Sequence, residues 1–511
     1  MKRVTTNALL WVLFGISAAI TLLLLILLTA IYAAKYGFLY VPFASWFVLT
    51  LTVLTIVIDG FICYCFWRRW RRTVRELVDL KSQPLDEEIP AVHGHKQLDR
   101  AEFLTLIQIL FRRPADAKHI HVSPLPGGHG GGTTVLVKLH RQRETLIPKA
   151  YVVKLGDRRE MADEHDKFHK YVEDYLPRAA RFFRYAEWQD LAGIAYEFVG
   201  LEPDHEIQSL YQFYQGHASV EVSELIGEAY DQLGRAWHRN GQKETVDLCS
   251  EYHLLQKKHE TIIGHVGEVV DEGDPYRANF TAIEERLRPN LKPGFYPPAN
   301  VSWHDPVVFL RTWPKPNLSI PVHRSIIHGD LHTQNVLVEI GRDGHKYLWF
   351  IDFSHTGNGL SGDRTREMIQ EGISIERDRG HTLRDFARLE ADVKHILTTL
   401  ENEDDLRQAM AFEKELVTCG VSPYDLQAGP PPIDALLEER FQKAWLVIRE
   451  IRRRAAEYLV NPDDIRPYYL SLLHATLPIV YYRRDQFENE ACECQQKRYA
   501  LLSAGLLCGQ L

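Results

Sequence analysis

The chain has 511 residues, enough for more than one domain and for a sizeable core. Its formal net charge of −8 gives none of the general basic character that a nucleic-acid partner calls for, so none is expected. Seven cysteines over this length form no disulfide framework, and the Cys63/Cys65 and Cys492/Cys494 pairs have C-x-C spacing rather than the C-x-x-C of a zinc site; a reducing compartment fits.

Residues 1–75 read as a transmembrane hairpin with a basic collar. Val4–Ala34 carries no charge and exceeds the roughly 20 apolar residues that cross a bilayer; Tyr36–Ile58 is a second uncharged stretch. A signal peptide competes for the first segment, since Met1-Lys2-Arg3 resembles a charged n-region, but the length of the run and the second span argue against it. Lys2 and Arg3 precede the spans, Arg68, Arg69, Arg71, Arg72 and Arg75 follow them, and only Lys35 lies between. The positive-inside rule then puts both ends in the cytoplasm, for an integral protein of the plasma or inner membrane with the lipid bilayer as a partner. Residues 76–116 read as a linker, with Pro84, Pro90 and Gly94, followed by a helix over Asp99–Phe111 whose Phe103, Leu104, Ile107 and Leu110 share a face.

Residues 117–200 read as a small β-rich lobe. Between candidate strands at Ala117–Val122 and Thr134–Leu139 lies a glycine-rich loop. Its Gly128, Gly130 and Gly131 would let backbone N–H groups approach phosphate oxygens without Cβ obstruction; the rival is a flexible hairpin turn. Tyr151–Leu155 is an apolar strand carrying a single lysine, Lys154, and a helical pattern follows, with Glu160 and Glu164 ahead of Phe168, Tyr171 and Val172. Gly193–Gly200 reads as a buried strand running into a Gly-containing turn, with Glu197 and Phe198 at its end.

Residues 201–511 read as a larger helical lobe. Val220–His238 and Asp247–Ile263 are helix-like, and Asp271–Leu318, rich in Pro, Asn and Gly, reads as an insertion containing Trp303 and Trp313. Ser325–Phe353 is the informative stretch. His328-Gly329-Asp330 precedes Asn335 by a short loop; Val336–Ile340 reads as a strand, Gly341–Gly344 as a tight turn, and Tyr347–Ile351 as a second strand ending in Asp352-Phe353. Two carboxylates and one carboxamide are thus placed at the mouth of a hairpin. Phosphoryl transfer from a nucleotide uses that set: one Asp orients or deprotonates the attacking hydroxyl, while Asn and a second Asp hold the metal that bridges the phosphates. Downstream, Asp385 within His381–Glu390 reads as opening a helix, with further helices at Ile433–Tyr458, Pro467–Tyr482 and Asn489–Leu507. Leu470–Tyr482 is too short for a convincing span and reads as a core helix, and Arg452-Arg453-Arg454 as a solvated face.

His328-Gly329-Asp330-Leu331-His332-Thr333-Gln334-Asn335 resembles the catalytic loop of the aminoglycoside phosphotransferase and choline kinase branch of the kinase-like fold, and Ile351-Asp352-Phe353 resembles its metal-binding motif, with Ser354 where protein kinases have Gly. The resemblance implies an α+β, bilobal protein kinase-like fold behind the two transmembrane helices. It implies ATP and Mg²⁺, with Asp330 as base flanked by His328, Asn335 and Asp352 as metal ligands, Lys154 on the phosphates, Glu164 (runner-up Glu160) pairing with Lys154, and Glu197 and Phe198 at the adenine hinge. It also implies that Asp385 braces the catalytic loop; helix capping is the alternative. The Asp385-Phe386-Ala387-Arg388-Leu389-Glu390 string resembles bacterial ternary-complex-associated domains, which implies protein partners in a signalling or defence complex. The leading expectation is a membrane-anchored phosphotransferase acting on the hydroxyl of a small molecule or, second, of a protein. The competing one is a kinase-like nucleotide- or partner-binding module with little catalysis.

Overall fold

The computed structural model describes residues 100–111, 117–124, 133–141, 149–176, 181–197, 206–252, 306, 319–360, 378–419, 438–482 and 484–511, all within the unit Leu85–Leu511. The two membrane segments, Gly128, Gly130, Gly131, Phe198, Trp303 and Trp313 lie outside them. Among the described residues no helix is long and apolar enough to cross a membrane.

Strand alternation organises the small lobe. Strands β1 (Ala117–Pro124), β2 (Thr133–Arg141), β3 (Lys149–Asp157), β4 (Arg181–Trp188) and β5 (Leu191–Glu197) form an antiparallel sheet in the order β1-β2-β3-β5-β4. Successive side chains of a strand point to opposite faces. On β3, Tyr151, Val153 and Leu155 therefore enter a small apolar core with Leu106, Ile107 and Leu110 of helix α1 (Arg100–Leu110), while Val152 enters the main core. Lys154 shares the face of Val152 and so looks towards the rest of the molecule. The helix read as an appendage of the linker is thus the cover of this sheet, and Arg184 Nη1 donates to the carbonyl of Leu110 (2.9 Å). Helix α2 (Arg158–Lys167) follows β3 directly, N-capped by Asp157, and runs on into a π-turn at Phe168–Val172.

Below it, β6 (Glu206–Ser209) leads into α3 (Leu210–Gly216) and α4 (Ser219–Ala236). Strand β7 (Gln242–Asp247) ends where a helix was expected to begin, helix α5 (Leu248–Glu251) opens there, and the rest of the expected helix to Ile263 lies outside the described residues beyond Tyr252. β7 is a solvent-facing edge strand with no apolar stripe to announce it. It pairs with β8 (Ser319–Ser325), whose far edge takes β11 (Gly380–His381). Strands β9 (Val336–Ile340) and β10 (Lys346–Phe350) form the expected hairpin, in register Val336↔Phe350 to Ile340↔Lys346, with Gly344 at φ +78° in its turn. Helices α6 (Leu383–Asp392), α7 (Glu403–Cys419), α8 (Glu439–Ala455), α9 (Arg466–Thr476) and α10 (Glu490–Cys508) complete the large lobe, with α6 packed on α8 and α9. The segment after Pro467 is a core element, as expected. Arg452 is not solvated. Three consecutive helical residues point about 100° apart, so one of the three arginines turns inward, and Arg452 is fully buried against Glu390.

Candidate active site

Lys154 is held by two elements that are distant in sequence. Its Nζ lies 2.8 Å from Glu164 Oε2 on α2 and 2.5 Å from Asp352 Oδ1 just past β10. Glu164, rather than Glu160, faces inward from the helix, is fully buried, and accepts a second hydrogen bond at Oε1 from Tyr196 OH of β5 (3.1 Å). Burial alone would lower the Lys154 pKa, but the Asp352 and Glu164 carboxylates outweigh it and raise it, so the lysine stays a cation. Burial pushes Asp352 up, yet Lys154 and the Ser354 hydroxyl (2.7 Å to Oδ1) bring it below its ordinary value. Asp352 sits at φ +64°, left-handed backbone that a short polar residue such as Asp tolerates and a β-branched one does not.

Phe353 turns down into the core, packing on Phe168 and His328 with ring centroids 5.6 Å away in each case. Lys167, one turn beyond Glu164, pairs with Asp163 (3.0 Å) and donates to the carbonyls of Ser354 and Leu360. The helix that holds Lys154 is thereby stapled to the segment that follows Asp352.

The catalytic-loop stretch is shaped by one face of α6. Asp385, Arg388 and Asp392 stand three and four residues apart, hence on one stripe. Asp385 accepts from the backbone N–H groups of His328 and Gly329 (2.8 Å each) and from His238 Nε2 (3.1 Å). Arg388 Nε donates to Asp330 Oδ1 (2.9 Å), and Asp392 accepts from the Thr333 N–H (2.8 Å) and hydroxyl. Asp385 therefore braces the loop as the resemblance implied, with Thr382 at the helix cap instead. At Gly329, φ is +84° and an added Cβ would lie 2.5 Å from the His355 carbonyl oxygen. The loop packs against the chain after Asp352 too closely for a side chain here.

Asn335 Nδ2 donates to the Asp330 carbonyl (2.9 Å), and the Asn335 carbonyl accepts from the Ile351 N–H (3.0 Å), which locks loop to hairpin. Because Nδ2 is spent on that carbonyl, the amide oxygen of Asn335 is left as a donor atom for a cation. With the Asp352 carboxylate it could supply oxygen ligands of the kind that Mg²⁺ takes from protein. Among the described residues no group of three or more His, Cys, Asp or Glu side chains is placed to hold a metal unaided.

His328, read with the catalytic residues, has another place. It is fully buried, and its Nε2–H donates to the Ile351 carbonyl (3.1 Å), so it braces the loop and in this conformation presents nothing to an acceptor. Glu197 closes β5 where the hinge was expected. Arg388, Asp392, Lys167 and Tyr196 had no assigned part; only the placement of Arg388 and Asp392 on one stripe with Asp385 hinted at theirs.

A sheet that presents one lysine, a helix that pairs it, and an Asp-Asn-Asp loop and hairpin beneath them define a kinase-like phosphotransferase fold. Residues 122–361 match the model of the phosphotransferase enzyme family (APH). No curated protein matches the chain. Among solved structures, an ethanolamine kinase from Plasmodium vivax is similar, with 12% sequence identity, a TM-score of 0.34, and coverage of 84% of this chain and 96% of that one.

Proposed function

We propose that the chain is an ATP- and Mg²⁺-dependent phosphotransferase acting on a hydroxyl of a small molecule, held at a membrane by the two apolar segments ahead of residue 76. The observation that carries the reading is the Lys154 ammonium between Glu164 and Asp352, brought together across 198 residues of sequence. Such an arrangement would offer a nucleotide's α- and β-phosphates a cation beside a carboxylate able to take a metal.

Asp330 accepts the hydroxyl proton as the acceptor oxygen bonds to the γ-phosphorus; the bond to the β–γ bridging oxygen breaks and ADP leaves. Arg388 occupies Asp330 Oδ1, and among the described residues no donor lies within hydrogen-bond reach of Oδ2, where His332 Nε2 stands 3.7 Å off. Oδ2 is the face for the acceptor. Asn335 and Asp352 would hold Mg²⁺, which supplies charge neutralisation on the phosphates. Lys154 grips the phosphates, and Glu164 and Tyr196 keep it aimed. The rest of catalysis is positioning.

The test is Mg²⁺-dependent ATP binding and turnover by the purified full chain and its Asp352→Asn variant, against a panel of hydroxyl acceptors. Turnover in wild type that is lost in the variant is the expected result. Binding without turnover against every acceptor would favour a nucleotide-binding module, a reading that draws on the direct Lys154–Asp352 pair, since a metal must compete with the lysine for that carboxylate.

A further inference from the structure

We propose that Arg388 is a positioning residue for this chemistry: it locks the Asp330 carboxylate through Oδ1 and leaves Oδ2 as the single oxygen offered to the acceptor. The inference rests on the assignment of Asp330 as base, and it concerns a residue outside the matched stretch 122–361.

The geometry is specific. Arg388 approaches Asp330 through Nε at 2.9 Å, and its Nη1 is turned 4.0 Å from Asp392 Oδ1, the carboxylate that ties down Thr333. The guanidinium thus stands between Asp330 on the loop and, on its own helix, the carboxylate that holds Thr333. Its side chain is 13% exposed, whereas Asp330 is 31% exposed, so the clamp lies behind the carboxylate and the open side is the acceptor's.

Among the described residues, the groups facing Asp330 or its clamp include Arg388 and Asp392 from α6, His332 from the loop, Asp352 and His355 from the segment after β10, and Tyr482 beyond α9. Burial pushes Asp330 up, and Arg388 foremost, then His332 and His355, bring it well below the usual carboxylate range. Burial also pushes both imidazoles down, His355 to about 4. Arg388 is the cation in direct contact with the Asp330 carboxylate.

The experiment follows Mg·ATP turnover with water as acceptor for the full chain and for Arg388→Met, Arg388→Lys and Asp330→Asn. Arg388→Met should lower kcat at least about tenfold and keep KM for ATP within about twofold; Arg388→Lys should recover part of the loss in kcat. Equal losses in Arg388→Lys and Arg388→Met, or a KM for ATP that rises as kcat falls in Arg388→Met, would overturn the inference while leaving the base in place. Full turnover in Asp330→Asn would instead overturn the base itself, and Arg388 with it.

Discussion

Two kinds of buried ion pair stand a few turns apart in this molecule. In the helical core, Glu390 receives Arg452 Nε (2.8 Å) and Nη2 (2.6 Å) and the Tyr468 hydroxyl (2.5 Å), and Lys394 meets Glu413 (2.6 Å) with Ser503 and Tyr499 closing the set; all four charged side chains are fully buried. Each carboxylate there has one cation, and each set is closed by hydroxyl groups. At the site, one lysine serves two carboxylates, and Asp330 and Asp352 retain 31% and 14% exposure. The core pairs are complete; the site is short of positive charge and open to solvent. Under the proposed function a Mg²⁺ ion held by Asn335 and Asp352 would bring the missing cation, and that imbalance, rather than burial or a shifted pKa, would separate the working cluster from the structural ones.

Substitutions can break this distinction. Asp330→Asn should cut Mg·ATP turnover by about 10²–10⁴-fold, the worth of a general base, while the urea midpoint stays near that of wild type. Parallel loss of stability would make Asp330 a structural residue like Glu390. Glu390→Ala should do the reverse: it strands Arg452 in the core and lowers unfolding free energy by about 3–5 kcal/mol, while the protein still folded binds ATP as wild type does. Glu164→Gln removes a charge from the site but keeps a hydrogen-bond partner for Lys154. It should weaken ATP binding by roughly tenfold, in line with the roughly 1.5–3 kcal/mol of a hydrogen bond to a charged group, and calorimetric titration reads it directly.

The smallest effect concerns pH. His381 is fully buried against Tyr252 and Ser471, and burial pushes it down to about 3. The unfolded chain takes up its proton near pH 6.5 and the folded one does not, so stability falls as pH drops from about 7 towards 3. Glu390 adds to the loss only at lower pH: Arg452 holds it down against burial, so its contribution is present above the unfolded value of about 4.3 and disappears as pH falls through its folded value. The fall in urea midpoint between pH 7 and pH 5 should shrink in His381→Asn and persist in Asp330→Asn.

The sequence brought together the residues expected to handle phosphate, because that pattern is local. His328–Asn335, the turn at Gly341–Gly344 and Asp352 all lie in one short stretch, and β3 announces itself by a lone lysine in an apolar run. Strand β4 was missed because its partly buried residues lack a clean two-residue alternation, and α7 because its charged first turn hides its apolar face. Arg388 was in view without a role, since its partner Asp330 lies 58 residues away and helical periodicity reaches only the next turn. Arg452 was misread for the same reason: its partner Glu390 lies 62 residues back, and a run of three arginines gives no sign of which one faces the core.

The stripe on α6 has a consequence for how the molecule keeps time. The amide hydrogens of His328, Gly329 and Thr333 are each bonded to a carboxylate of that helix rather than to backbone. They can trade with deuterium only when loop and helix part. Their exchange rates therefore clock the opening of the loop around Asp330, and if the three run at one rate, the helix and the loop open as a single body.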